Sequence, residues 1–150
     1  MEKKSKKIIG YTVGSFDLFH IGHLNILKKA KAQCDYLIVG LNSDETMVRC
    51  KNKAPIIPYL ERKQILEAIK YVDEVIKVEC QQKDTKADDW HYRLSADIVF
   101  SGDDHSSSPE WQELIEYKSK NGGKVVFFPY TKSTSSTLIR KILEEKSANL

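Results

Sequence analysis

The 150-residue chain is 41% hydrophobic and 30% charged, with a formal net charge of +3; this suits one globular domain with a buried core and is too little positive charge to argue for nucleic acid. No apolar run nears the roughly 20 residues of a membrane-spanning helix, and the basic start MEKKSKK leads only into a short apolar stretch broken at Gly10 and Thr12, unlike a signal peptide. Cys34, Cys50 and Cys80 are dispersed, with no CxxC pair and no metal-ligand spacing, as expected of free thiols in a reducing, cytoplasmic setting.

Apolar runs of strand and helix type alternate along the chain. Residues 7–13 are predicted as a first strand and 21–33 as a helix, from a helical pattern of Leu24, Leu27 and Ala30 that continues to Cys34 just beyond it. The run YLIVGL, 36–41, has strand length. Residues 42–58, with lysines and Pro55 and Pro58, are predicted as loop. A helix over about 60–70 has Ile65, Leu66, Ile69 and Val72 as its apolar face, and 74–78 is a third strand. Residues 80–94 are expected to be loop and then a short helix; 97–100 is a fourth strand. Ser108-Pro109-Glu110 has a capping serine and a proline at the first helical position, and Gly122-Gly123 supplies the stop. A fifth strand over 124–128 and a final helix from about Ser135, burying Leu138, Ile139, Ile142 and Leu143, complete the series.

Such alternation implies parallel strands joined by helical crossovers: an α/β fold with a doubly wound, five-stranded parallel sheet and helices on both faces. Residues 1–6, with Lys3, Lys4 and Lys6, are expected as a flexible basic tail, 7–146 as a single domain and 147–150 as a second tail. Ligands of such sheets bind at the carboxyl ends of the strands. The stretch GSFDLFHIGH, 14–23, lies there, where the first strand hands over to the first helix.

That handover contains no GxGxxG and no Walker lysine, which argues against a conventional dinucleotide or P-loop site. It contains His20-Ile21-Gly22-His23 instead. Residues three apart share a helix face, so both imidazoles sit near the helix N-terminus with its unpaired N–H groups and positive dipole end. Gly22 removes a side chain where a bulky anion would approach. An isolated HxxH more often caps a helix or fills a surface; its place directly after the first strand favours a phosphate whose charge grows during reaction. A metal site lacks a third ligand in register, and HExxH is absent.

GSFDLFHIGH resembles the HxGH motif of the cytidylyltransferase-like nucleotidyltransferases. The resemblance continues through Cys34-Asp35-Tyr36-Leu37-Ile38-Val39-Gly40 into Asn42-Ser43-Asp44-Glu45, through Glu61-Arg62-Lys63 and Lys70-Tyr71-Val72-Asp73-Glu74-Val75, and at Thr131 to Thr137. The matches run in order over residues 8–143. They are most similar to the small bacterial glycerol-3-phosphate cytidylyltransferases, with the ethanolamine- and choline-phosphate enzymes next.

The resemblance implies roles for particular residues. His20, His23, Lys53 and Arg62 would be catalytic, the last two holding phosphate charge. Gly14, Ser15, Phe16, Asp17, Gly22, Asp103, Thr131, Ser135, Ser136 and Thr137 would bind the nucleotide, and Lys51, Lys83, Lys86 and Asp104 the acceptor. His105, Trp90 and Trp111 either line the acceptor pocket or pack the core. The C-terminal segment departs from the family's P-R-T-E-G-I-S-T-T pattern: Tyr130 replaces the arginine, Lys132 the glutamate and Ser133 the glycine. Lys132 could return the lost positive charge.

The implied chemistry is in-line attack by a phosphate-monoester oxygen on the α-phosphorus of CTP, giving a CDP-alcohol and pyrophosphate. The attacking oxygen is already an anion, so the protein supplies position and charge stabilisation rather than a nucleophile. Mg²⁺ is expected to bridge the phosphates, with Asp17 or Asp103 nearby and no ligand set assigned; a homodimer is expected from the relatives. Glycerol-3-phosphate or a similar polyol phosphate is the favoured acceptor; the alternatives are ethanolamine- or choline-phosphate as acceptor, adenylyl transfer from ATP, and a nucleotide-binding module without catalysis.

Overall fold

A computed structural model describes residues 6–79, 88–102, 106–129 and 135–148. Five strands alternate with six helices: β1 (Ile9–Gly14), α1 (Ile21–Lys31), β2 (Tyr36–Asn42), α2 (Asp44–Lys51), α3 (Tyr59–Glu67), β3 (Glu74–Val78), α4 (Asp88–Ser95), β4 (Ile98–Gly102), α5 (Pro109–Asn121), β5 (Lys124–Phe128) and α6 (Ser136–Ala148). All pairings are parallel, in the order β3-β2-β1-β4-β5. The expected doubly wound sheet is therefore present, and its order reverses at β1, between β2 and β4.

Period-two alternation sends successive strand residues to opposite faces. Leu37, Val39 and Leu41 of β2 and Ile98 and Phe100 of β4 join Leu27, Ala30 and Leu66 from α1 and α3. Ile38, Val99 and Tyr11 face the other way, against Ala96 and against Trp111 and Leu114 of α5. Two cores thus flank one sheet, which is why its strands are apolar throughout. Gly40 is glycine for want of room: a Cβ there would run into the Tyr11 hydroxyl and Val78.

Helix α5 starts and stops where its end signals place it. Ser108 Oγ accepts from Trp111 N–H at 3.3 Å, Pro109 opens the helix, and Gly122 closes it at φ 84°. Asp73, from the YVDE segment, accepts from Leu37 N–H at 2.8 Å and from Lys31 Nζ at 2.5 Å, so it clamps the start of β2.

Four expectations need correction. The loop predicted over 42–58 contains α2, capped by Ser43, whose Oγ accepts from Thr46 N–H at 3.1 Å, and ended by Asn52 at φ 54°. Its eight residues, DETMVRCK, have no clean apolar period, but the serine cap followed by Asp44 and Glu45 is a helix-start signal. Ile65 of α3 faces outward while Leu66 is buried. Helix α6 buries none of its residues, and Leu138, Ile142 and Leu143 are more than 40% exposed. The helix also runs on through Ser147 and Ala148, where a tail was expected. Among the described cysteine side chains, Cys34 is a half-buried free thiol. No described helix is long and apolar enough to cross a membrane.

Candidate active site

The carboxyl end of β1 leads into a loop whose backbone is unusual for its residues. Phe16 and Leu18 lie at φ 47° and 52°, in the left-handed region that side chains disfavour. Phe16 is nonetheless buried, its ring 5.2 Å from that of His23. This loop delivers His20 to the N-cap of α1 in extended conformation.

The two histidines cap the helix for each other. Gly22 N–H donates to His20 Nδ1 at 3.0 Å, and His20 N–H donates to His23 Nδ1 at 3.2 Å. This is the reciprocal logic of a capping box, with imidazoles in place of serine and glutamate. An Nδ1 that accepts carries no proton, so each neutral ring bears its proton on Nε2. The rings stack at 3.9 Å between centroids, and His23 also meets Phe19 at 5.3 Å. Burial pushes the His20 imidazole below its ordinary pKa, favouring the neutral form.

A cleft of about 190 Å³ opens beside this pair, lined by Ser15, Phe16, Asp17, His23, Met47, Lys53, Ser136, Thr137 and Arg140. Of the residues singled out from the sequence, it brings together His23, Lys53, Ser15, Phe16, Asp17, Ser136 and Thr137. Ser135 stands next to it as the start of α6, its Oγ accepting from Leu138 N–H at 3.0 Å. Gly22 is buried in the first turn of α1, and Gly14 ends β1. A larger hollow of about 530 Å³ lies at the other edge of the sheet, against Lys7, Asp97 and Lys124, where the strands begin rather than end.

Two residues expected to face phosphate are engaged otherwise. Arg62 has a side chain with no exposure. Its Nε donates to Ile57 O at 2.8 Å, its Nη1 to Ser15 O and Asn42 O at 2.8 and 2.9 Å, and its Nη2 to Asp44 Oδ1 at 2.7 Å. In this geometry the guanidinium ties loops together instead of meeting a ligand. Asp17 accepts from Leu18 N–H (3.1 Å), Ile56 N–H (2.8 Å), Ile57 N–H (2.9 Å) and Arg140 Nη2. Burial would raise its carboxyl pKa, but the Ile56 and Ile57 amides and the Arg140 guanidinium outweigh burial and hold it below the usual range. With both oxygens taken, Asp17 is a poor ligand for the expected Mg²⁺. Among the described residues no three His, Cys, Asp or Glu converge as a metal site.

Trp90 and Trp111 flank Arg93 at 5.7 and 4.8 Å, away from the cleft. That arginine lies 2.9 Å from Asp89, which accepts from the Tyr11 hydroxyl at 2.5 Å. Lys83, Lys86, Asp103, Asp104, His105, Tyr130, Thr131, Lys132 and Ser133, and the side chain of Lys51, lie outside the described residues. Sequence reasoning missed Met47, hidden in the unrecognised α2, and Arg140. The signal for Arg140 was available: it follows Ser136 by four positions, hence on the same helix face.

A parallel sheet whose first strand hands a mutually capped histidine pair to a helix N-terminus, beside a lysine, an arginine and a hydroxyl-bearing helix start, defines a nucleotidyltransferase. The cytidylyltransferase-like family model matches residues 11–142, and the chain belongs to that family. It is 38% identical over 136 residues to the glycerol-3-phosphate cytidylyltransferase of Bacillus subtilis, covering 91% of this chain and 95% of that one. It is 35% identical over 150 residues to the FAD synthase of Thermococcus kodakarensis, covering 96% and 97%. Among solved structures it resembles the lipopolysaccharide core biosynthesis protein from Thermoplasma volcanium, with a TM-score of 0.64 and 28% identity over 86% of this chain and all of the other.

Proposed function

We propose that this chain transfers CMP from CTP to a small alcohol phosphate, glycerol-3-phosphate or a similar polyol phosphate, releasing pyrophosphate and a CDP-alcohol. The observation that carries the reading is the histidine pair, locked as Nε2–H donors at the start of α1, with His23 lining a cleft that also holds Lys53, Arg140, Ser136 and Thr137, and His20 stacked against His23. Preorganised donors and cations are what a reaction with growing phosphate charge requires. The acceptor's phosphate oxygen attacks in line without a general base, because it is already ionised. His20 and His23 donate to the α-phosphate oxygens and the bridging oxygen as pyrophosphate departs. Lys53 and Arg140 balance the β- and γ-phosphates, the latter standing in for the arginine absent at Tyr130, while Ser136 and Thr137 sit at the α6 N-terminus, where backbone N–H groups suit phosphate.

Mg²⁺ enters this scheme with the nucleotide, as its phosphate counterion, since Asp17 is already saturated. The protein is taken as cytoplasmic and active as a homodimer, and sedimentation of the purified protein reads the oligomeric state directly. The choice of glycerol-3-phosphate leans on the similarity to the Bacillus subtilis enzyme. The comparable likeness to an FAD synthase over nearly the whole chain favours a second reading, with ATP as the nucleotide.

Pyrophosphate release with Mg²⁺ tests both, crossing CTP and ATP against glycerol-3-phosphate, other polyol phosphates, ethanolamine-phosphate and choline-phosphate. Release from CTP and a polyol phosphate is the expected result. Release only from ATP selects the second reading. Nucleotide binding with no release from any pair makes the chain a binding module.

A further inference from the structure

The geometry points to Asp17 as a positioning residue that locks the β1–α1 loop, the segment following Lys53, and helix α6 into one unit, so that His23, Lys53 and Arg140 meet the nucleotide as a set. The role of that set rests on the transfer reading above; the locking itself does not.

Three observations support the assignment. First, the carboxylate is 3% exposed and takes donors from all three segments: Leu18 N–H from its own loop, Ile56 and Ile57 N–H from the second, and Arg140 from α6. Ser136 Oγ adds a fifth bond, donating to the Asp17 main-chain oxygen at 2.7 Å. Second, α6 has little else to hold it. None of its residues is buried, and its described cross-chain polar ties come from Ser136 and Arg140, the latter also reaching Ala54 O at 3.2 Å. Third, the two residues flanking Asp17 sit at positive φ, a conformation that side-chain-bearing residues disfavour and that persists only where surrounding contacts enforce it. The bonds to Asp17 are the enforcing contacts. A carboxylate used in this way does not touch substrate; it sets the distance between groups that do.

The test is amide hydrogen exchange on the nucleotide-free protein, comparing wild type, Asp17→Asn, Arg140→Ala and the double variant. Asp17→Asn is expected to speed exchange about tenfold at Ile56 and Ile57, and also at Leu138 and Ile139 of α6, whose amides bond to Ser135 and not to Asp17. Arg140→Ala should speed Ile56 and Ile57 in the wild-type background and add nothing once Asp17 is Asn. Equal effects in both backgrounds would mean that α6 acts directly through Ala54, and overturn the proposal. If Asp17→Asn does not fold, Ser136→Ala, which removes only the tie to the Asp17 carbonyl, is expected to speed the same Ile56 and Ile57 amides; unchanged exchange there also overturns it. In turnover, Asp17→Asn should lower kcat more than it raises KM, and Lys53→Ala should cost no more than about threefold when added to it. Fully multiplicative losses would show that the two residues act separately. A chain silent towards every nucleotide and acceptor refutes the transfer reading, and exchange alone then decides for or against Asp17.

Discussion

Asp17 and Arg62 hold the same residue from opposite sides: the Ile57 N–H donates to Asp17 Oδ1 at 2.9 Å, and the Ile57 carbonyl accepts from Arg62 Nε at 2.8 Å. A buried anion and a buried cation therefore fix the path of the chain between Lys53 and α3, each satisfied by main-chain groups and one charged side chain, Arg140 for Asp17 and Asp44 for Arg62. Burial of both is tolerable because nearly every polar atom has a partner.

The consequence for Arg62 is structural. Arg62→Met strips a donor from Ser15 O, Asn42 O and Ile57 O together, and each buried acceptor left bare costs about 1–3 kcal/mol. Urea denaturation should show a loss of at least about 3 kcal/mol. A variant that keeps its stability and loses only nucleotide affinity would place the guanidinium on phosphate after all.

For the histidines, cap and chemistry can be separated. Asparagine is among the best N-cap residues, so His20→Asn should retain the melting temperature while turnover falls roughly 10²–10³-fold, as for loss of one preorganised donor. His20→Ala should lose both, with a stability cost of about 1 kcal/mol. Near-normal turnover in His20→Asn would remove His20 from the mechanism.

Titration offers a further check. Burial lowers the His20 pKa, so below the ordinary value of about 6.5 the unfolded chain binds more protons than the folded one. The stability due to this ring is complete above about pH 6.5 and declines as the pH falls through its folded value. Histidine NMR should find the ring titrating below about 6.5, and wild type, matched in stability with His20→Asn at neutral pH, should become the less stable of the two on acidification. A ring titrating above 6.5 contradicts the buried neutral form.

Asp17 and Asp73 govern acid sensitivity further down. Burial opposes both charges, but the Ile56 and Ile57 amides and Arg140 prevail at Asp17, and Lys31 with the Leu37 amide at Asp73, so both folded values lie below the normal carboxylate range. Their contribution is present above the unfolded value of about 4 and disappears as the pH drops through the folded one. Thermal unfolding between pH 5 and about 2 should therefore steepen in the wild type and flatten in Asp17→Asn or Asp73→Asn; an unchanged slope would show that these carboxylates are not linked to folding.

Legibility followed the range of the interactions. Strands and the α5 end signals are local patterns, and the histidine pair announces itself by spacing. Helix α2 was hidden because its burial is irregular and only its cap speaks. The α6 stripe of Leu138, Ile142 and Leu143 has helical period, yet period alone does not say what covers it. Arg62 and Asp17 were assigned to ligand because most of their partners are backbone groups, several from distant segments, and no side-chain pattern records a main-chain donor or acceptor. Spacing places Arg140 on the Ser136 face of α6, but its pairing with Asp17, 123 positions away, has no local signal.

The mutual cap of His20 and His23 has one more implication. An imidazole that must present a particular nitrogen is commonly oriented by a neighbouring carboxylate. In this chain two peptide amides perform that task, and they bring no negative charge to the place where a polyanion is to be received. The tautomer is thereby inherited from the backbone: once α1 begins in register, both rings are set by main-chain donors.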